Sequence, residues 1–325
     1  MFTNANYDFI RWRWHAIVLS VVVIAAGFAV MFTRGLPLGI DFTGGTLMIV
    51  DFSEPVHEDA IRAAIDDLPG EKIVQSYGGE GSNEFLIRLP QTGEAEEGFN
   101  LEATALAVTS ALDKAGLPSY EVLSREFVGP TIGADLQRKG IYAMLLSILG
   151  IMVYIGIRFR FSFAAGASVA TLHDVLVVLA FLAFFGYELS LNVVAAILTI
   201  TGYSVNDTIV IFDRVRENSR LQRREPLDAV VNRSVNQTLS RTIITAGTTF
   251  FAVLALYLIG GEVLEGFAFA MLVGVVSGTY STVFIAAALA IMLSGRKAAA
   301  GRAAVPVEEA VPERRRKGGR NVRVS

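Results

Sequence analysis

Asp207 and Arg241 are ionisable residues that lie within, or at the edge of, apolar runs long enough to cross a lipid bilayer. The run around Asp207 covers residues 189–212, and the run after Arg241 covers residues 242–259 without another charge. A charged side chain at such depth costs roughly 2.5–3.5 kcal/mol on insertion scales, so it usually marks an ion pathway or a buried pair. The first functional hypothesis is therefore proton or ion translocation.

Other polar residues accompany this pair. Asn206 adjoins Asp207, and small or polar residues recur at helical spacing on both runs: Thr199, Gly202, Tyr203, Asn206 and Asp207 on one, Arg241, Thr245, Thr248 and Thr249 on the other. A rise of about 1.5 Å per residue places Asp207 and Arg241 at similar depths. The alternative to proton transfer is a static ion pair that joins two helices.

His173 and Asp174 form a second ionisable pair inside an apolar run. A proton relay through His173, Asp174 and Asp207 is one hypothesis for these residues. The other is a structural hydrogen bond between two membrane helices, and it is the favoured one.

The composition indicates a membrane protein, because 53% of the 325 residues are hydrophobic and only 18% are charged. A membrane helix needs about 18 or more mostly apolar residues. Six windows meet this requirement: residues 14–32, 141–157, 161–185, 189–212, 242–259 and 267–293. The sequence therefore predicts an α-helical polytopic membrane protein with six transmembrane helices.

Arginine and lysine are concentrated before the first span, between spans two and three, between spans four and five, and in the tail. The positive-inside rule places these four segments, and both termini, in the cytoplasm. The first span is longer than a signal-peptide apolar region, so it is predicted to remain as an anchor. The expected organisation is a cytoplasmic N-terminus 1–13, a first helix 14–33, an extracytoplasmic domain 34–139, a five-helix membrane domain 140–294 and a disordered basic tail 295–325.

The extracytoplasmic segment shows alternating strand and helix patterns. The predicted elements are a strand 45–52, a helix 57–68, strands 72–77 and 84–89, a helix 101–115 and a strand 120–127. Gly78, Gly79 and Gly81 are expected to form the turn between the two central strands, and residues 91–100 a polar loop. The order βαββαβ is typical of the α+β ferredoxin-like fold.

The segment 39–45 is glycine-rich, with Gly39, Asp41, Gly44 and Gly45 as its characteristic residues. It lacks the lysine and the following helix of a phosphate-binding loop, so a tight link between membrane and domain is preferred. No histidine is spaced with another ligand as a zinc site requires. We expect no enzyme activity, no metal, no cofactor beyond protons and no nucleic-acid partner.

The sixth span carries a stripe of small residues at every fourth position: Gly266, Ala270, Gly274 and Gly278. Such a stripe allows membrane helices to approach closely. Close helix contact is the preferred interpretation.

Several segments together resemble the SecD/SecF family of bacterial protein export factors. The main one reads Gly-Tyr-Ser-Val-Asn-Asp-Thr-Ile-Val over residues 202–210 and continues to residue 218. Residues 39–45, 172–175, 236–242 and 264–267 match in the same order. The resemblance covers about residues 10–294 and is much more specific than any single segment.

The resemblance implies a member of the resistance–nodulation–division superfamily, in which two six-helix halves form one proton-driven unit. Asp207 matches the proton-carrying acid of the family, and Arg241 its basic partner. Because the working site of repeated membrane halves usually lies between them, a second six-span protein, SecD, is expected. The implied location is the bacterial inner membrane, and the implied role is proton-motive-force-driven assistance to late-stage protein export.

Further partners implied by the resemblance are the SecYEG channel, SecA, YajC or YidC, unfolded preproteins and membrane lipid. In this mechanism an apolar environment favours the neutral acid and a nearby arginine favours the charged one, so movement of Arg241 would switch Asp207. Two alternatives stay open: half of a proton-driven exporter of the same superfamily, and a membrane scaffold that transduces no energy.

Overall fold

The computed structural model describes residues 6–69, 72–77, 82–90, 101–222 and 224–294. The predicted turn at Gly78, Gly79 and Gly81, the loop 91–100 and the basic tail 295–325 lie outside the described residues.

The described elements include the predicted helices and strands in the predicted order, and they add the short helix α2 within the glycine-rich segment. They are α1 Arg13–Arg34, α2 Ile40–Thr43, β1 Gly45–Phe52, α3 Glu58–Ala64, β2 Ile73–Tyr77, β3 Glu84–Pro90, α4 Leu101–Lys114, β4 Tyr120–Val128, α5 Pro130–Arg158, α6 Phe161–Phe185, α7 Leu191–Leu221, α8 Leu227–Ile259 and α9 Glu265–Ser281, which continues through a π-helical turn Thr282–Ala286 to Ser294.

Six of these helices, α1 and α5 to α9, are long and apolar enough to cross a membrane, which confirms the prediction of six spans. Helices α6, α7 and α9 form the centre of the bundle, with more than half of their most apolar window buried. In α1, α5 and α8 that share is 17% or less, so these three helices present most of their apolar surface outwards. The bundle therefore has three inner and three outer helices.

Local sequence explains several helix ends. Pro130 occupies the first turn of α5, where its missing N–H has no intrahelical role. Gly186 ends α6 in the left-handed conformation, with φ of 74°. Ser190 caps α7 by accepting a hydrogen bond from the Val193 N–H. Because α5 starts at Pro130, residues 130–139 form its first turns, although they are predicted from the sequence as part of the domain 34–139.

The α+β domain between α1 and α5 has the predicted ferredoxin-like βαββαβ fold, with an antiparallel sheet in the order β2-β3-β1-β4. Helices α3 and α4 cover one face, and fully buried residues such as Met48, Ile87 and Leu112 form the core between them and the sheet. Helix α3 ends at Ala64, earlier than the predicted residue 68. The opposite sheet face, which carries Arg88, is directed towards the end of the membrane helices at which α6 is linked to α7.

The stripe of small residues on α9 lies against α7. A Cβ atom added to Gly274 would lie 2.2 Å from Cδ1 of Ile200, and one added to Gly278 would lie 3.0 Å from Cβ of Ser204. Ala270 is fully buried, and Gly266 faces Val193. The small residues thus let the helix that carries Asp207 approach the centre of the bundle.

Candidate functional site

Asp207 lies in the middle of α7 and is 4% exposed. Its Oδ2 atom is buried and has no hydrogen-bond partner among the described residues. A buried polar atom left without a partner costs about 1–3 kcal/mol. In native structures such an atom is explained by a functional role, by stored strain or by a bound water or ion.

Arg241 lies on α8 and interacts electrostatically with Asp207. Its side chain is nevertheless exposed at the surface of the chain. Among the described residues, none of the ion pairs joins Arg241 to Asp207. The two residues are therefore electrostatic neighbours without direct contact, and a static ion pair between them does not form in this chain alone.

Two further buried polar atoms without partners belong to the same two helices. They are the hydroxyl oxygens of Tyr203 on α7 and Thr242 on α8. The Tyr203 hydroxyl is directed towards Thr245 and Thr249 without forming a hydrogen bond of normal geometry. Within the described part of the membrane helices, all side chains with unpartnered buried atoms thus belong to α7 and α8.

Asn206 is not brought into the bundle with Asp207. Its side chain is exposed, as are Thr199 and Gly202 on the same side of α7 and Thr248 on α8. We call these four residues, together with Arg241, the polar stripe. A polar surface at membrane depth is unfavourable against lipid, so the stripe marks a face that another protein surface would cover.

Asp174, by contrast, is fully buried and fully hydrogen-bonded. Its Oδ1 accepts from Ser277 Oγ at 2.7 Å and lies 3.1 Å from His173 Nδ1, and its Oδ2 accepts from Ser204 Oγ at 2.6 Å and Ser281 Oγ at 2.8 Å. A carboxylate offers about four acceptor sites, and all of them are occupied. This cluster joins α6, α7 and α9 by hydrogen bonds, and we interpret its role as structural.

His173 extends the cluster towards α1. Its Nε2 atom lies 2.9 Å from Ser20 Oγ, which donates in turn to the Tyr280 hydroxyl at 3.2 Å. The Tyr280 hydroxyl donates to the backbone oxygen of Ala16 at 2.6 Å. The pair that was predicted from sequence therefore forms, and its partners are hydroxyl groups on α1, α7 and α9.

Helix α7 links the two aspartates. Ser204 contacts Asp174 and precedes Asp207 by about one turn, and Thr208 on the next turn contacts Thr282 with the two hydroxyl oxygens 3.0 Å apart. Thr282 begins the π-helical turn that follows α9. Such turns are frequent at functional sites. A shift of α7 would consequently move Asp207 and change the hydrogen bond that Asp174 accepts from Ser204.

The glycine-rich segment docks against the N-terminal end of α7. Asp41 Oδ2 accepts a hydrogen bond from the Leu191 N–H, the first residue of α7, at 2.8 Å. The Gly39 N–H donates to the Leu189 oxygen at 2.8 Å. Gly44 has φ of 73°, which favours glycine, where the chain turns into β1. The segment thus connects the domain directly to the helix of Asp207.

A second contact joins the sheet to the same end of α7. Arg88 on β3 is 2% exposed and forms an ion pair with Glu188, which is 22% exposed and lies in the link between α6 and α7. Arg88 Nη1 also reaches the Leu38 oxygen at 3.4 Å. The strand pattern gave no sign of this contact, because an arginine at an alternating position of a strand is usually solvated.

Tyr187 holds the same link to α9. Its hydroxyl donates to Glu265 Oε1 at 2.5 Å, and its ring stacks on Phe269 at a centroid distance of 4.3 Å. Burial, together with hydrogen bonds to Glu265 and Tyr257, raises the pKa of Tyr187 well above its usual range. The hydroxyl therefore remains a donor, and the link between α6 and α7 is fixed on both sides.

Among the described residues, no group of three or more histidine, cysteine, aspartate or glutamate side chains could hold a metal ion.

The fold and this site define a class: a six-helix membrane domain with one ferredoxin-like α+β domain and a carboxylate in a central helix. The family described as “Protein export membrane protein SecD/SecF, C-terminal” matches residues 107–296, and the SecD/SecF GG motif matches residues 29–56. The chain belongs to the SecD/SecF family.

Individual relatives agree with this assignment. The chain is 43% identical to the protein translocase subunit SecF of Rhodothermus marinus, over 94% of this chain and 98% of that protein. It is 39% identical to SecF of Escherichia coli O157:H7, over 90% of this chain and 89% of that protein. The crystal structure of SecDF from Thermus thermophilus, a translocon-associated membrane protein, has a TM-score of 0.79 at 34% identity over 90% of this chain. This chain spans 39% of that SecDF chain.

Proposed function

We propose that this protein is an accessory subunit of a preprotein translocase that couples proton passage between α7 and α8 to movement of its outer domain. The observation that carries the proposal is that Asp207, Tyr203 and Thr242 on α7 and α8 have unpartnered buried polar atoms, whereas Asp174, the other buried carboxylate among the described residues, is saturated. Asp207 can take up a proton without displacing a hydrogen bond from its Oδ2 atom. Asp174 cannot, so we assign proton transfer to Asp207.

The polar stripe supports a second six-helix partner on the face of α7 and α8. Asn206 and Arg241 are exposed at membrane depth in this chain alone, and a partner half would cover them. SecD is the expected partner, since this chain spans 39% of a solved SecDF chain. SecYEG, SecA, YajC or YidC and unfolded preproteins follow from the family. The bacterial inner membrane with cytoplasmic termini is the location that fits this role.

The mechanical part of the proposal runs along α7. Asp207 lies about 24 Å from Leu191, at a rise of 1.5 Å per residue. Leu191 is held by Asp41, and the preceding Glu188 is held by Arg88. One proton crossing 100 mV is worth about 2.3 kcal/mol, which biases a conformational equilibrium about fifty-fold. A shift of α7 driven by this free energy would displace the outer domain through its two contacts.

Export of a preprotein into inverted membrane vesicles tests the proposal. Asp207→Asn keeps the size of the side chain and removes the titratable group, so we expect export to lose its dependence on the proton gradient. Asp213→Asn is the matched control, because Asp213 lies on the same helix and forms an exposed ion pair with Arg158. Gradient-dependent export by a normally folded Asp207→Asn variant would favour a scaffold that transduces no energy.

The partner is tested by cross-linking. The chain contains no cysteine, so a single introduced cysteine reacts alone. Asn206→Cys should cross-link to SecD in membranes, whereas Leu146→Cys, on α5 and 66% exposed, should not. Equal cross-linking from both positions would contradict the assignment of the partner face.

A further inference from the structure

A cleft of about 460 Å³ lies at the arginine-rich end of the bundle, away from the site of Asp207. The link between α5 and α6, the last turns of α7 and the start of α8 form its walls. Arg158, Arg160, Arg216 and Arg220 line it. The cleft thus gathers four arginines from two separate elements at the end of the membrane helices.

Arg160, Arg216 and Arg220 differ from Arg158 and from the neighbouring Arg214 in charge pairing. Arg158 is paired with Asp213 at 3.0 Å, and Arg214 with Glu217 at 2.7 Å. Within the described part of the chain, no ion pair or hydrogen bond engages the side chains of Arg160, Arg216 and Arg220, all of which are exposed. The N-terminus of α6, which follows Arg160, also has no side-chain cap, and helix N-termini favour anions. The cleft therefore carries an uncompensated positive charge.

The inner wall of the cleft is apolar. Phe163 and Phe212 are buried and meet edge to face, with ring centroids 4.9 Å apart. Ile157 lines the cleft and is 84% exposed, and Val153 and Tyr154 continue an exposed apolar surface along α5. A molecule seated among the arginines would thus have a direct apolar path along α5 into the membrane.

We propose that this cleft binds one anionic phospholipid, with its phosphate between Arg160, Arg216 and Arg220 and one acyl chain along α5. The guanidinium group matches a phosphate with two parallel hydrogen bonds. Basic pockets between membrane helices are known to select anionic lipid headgroups. The apolar path along α5 distinguishes a lipid from an acidic protein segment, which would need polar contacts along its length.

The test is binding of dioleoyl phosphatidylglycerol to the full chain in detergent, measured by native mass spectrometry, with dioleoyl phosphatidylcholine as the neutral lipid. Arg216→Gln/Arg220→Gln should weaken phosphatidylglycerol binding about thirty-fold, which corresponds to about 1 kcal/mol for each basic residue. Arg11→Gln/Arg224→Gln is the control, because it removes the same charge outside the cleft and, among the described residues, neither side chain forms an ion pair. It should weaken binding less than about threefold, since diffuse charge acts weakly at the surface.

Two additional measurements are needed. The first distinguishes a lipid headgroup from free phosphate, and the second distinguishes loss of the guanidinium geometry from general damage to the protein. Inorganic phosphate at the same concentration should not displace phosphatidylglycerol, because it lacks the acyl chain. Arg216→Lys/Arg220→Lys should retain part of the binding, since lysine keeps the charge and loses the planar fork. Equal loss in the cleft and control variants, equal binding of the two lipids, or displacement by inorganic phosphate would overturn the proposal. A cleft variant that binds phosphatidylglycerol normally but no longer binds a protein partner would also overturn the proposal, because the arginines would then serve that partner.

Discussion

The ion pair between Arg88 and Glu188 should hold the ferredoxin-like domain against the membrane helices, and its two members should differ in importance. Glu188→Gln leaves a guanidinium that is 2% exposed without its charged partner. Removing one member of a buried ion pair costs about 3–5 kcal/mol. Arg88→Met leaves Glu188, which is 22% exposed and can reach water, so the cost should be nearer 1 kcal/mol.

The free-energy cost of Glu188→Gln predicts a measurable change in the populations of docked and undocked domain. A cost of about 3 kcal/mol changes the ratio of docked to undocked domain about 150-fold. Arg88→Met/Glu188→Gln removes both charges, so it should be less disruptive than Glu188→Gln alone. This order of effects is specific to burial of charge, because simple loss of contact would make the double variant the worst of the three.

The assay is a distance distribution between two spin labels. Since the chain has no cysteine, labels can be placed at Leu123 on β4, which is 50% exposed, and at Val263 before α9, which is 58% exposed. The unaltered chain should give one narrow distribution, and Glu188→Gln a broad second component. A narrow distribution for Glu188→Gln, or a double variant broader than Glu188→Gln, would refute the reasoning.

Three further predictions concern the bundle and the domain. Gly274→Val should reduce the yield of folded protein several-fold because its side chain would overlap Ile200 on α7, whereas Gly150→Val should not, since a Cβ at Gly150 meets nothing within 4 Å; size-exclusion yield measures both. Asp174→Ala should lower thermal stability in detergent by at least about 3 kcal/mol, since it breaks four hydrogen bonds to a carboxylate, and an equal loss in Asp207→Ala would contradict the distinction between the two acids. Residues 40–129 expressed alone should fold as a soluble α+β domain, because the domain core is formed entirely within this range; a disordered circular dichroism spectrum would show that the core needs the membrane helices.

The sequence was sufficient for the features that depend on local pattern. Six long apolar windows predicted six helices, and period-two and helical alternation predicted the βαββαβ order. Asp207 was recognisable because a lone acid in an apolar run is unusual. These features need no knowledge of which residues meet in space.

The remaining features depend on tertiary contact. Asp174 and Ser277 are 103 positions apart, and only the close approach of α9 brings the hydroxyl to the carboxylate. Arg88 becomes buried because the sheet faces the membrane helices, which strand alternation cannot reveal. The lack of direct contact between Arg241 and Asp207 was equally beyond prediction, since residue spacing gives depth along a helix and not the direction of a side chain.

Proton flux through the reconstituted complex with SecD tests the central claim most directly. In vesicles that contain a pH-sensitive dye, an imposed membrane potential should drive proton uptake with the unaltered chain and with Asp213→Asn, and none above background with Asp207→Asn. Flux through Asp207→Asn equal to that of the unaltered chain, in a complex of normal stability, would show that protons do not pass through Asp207.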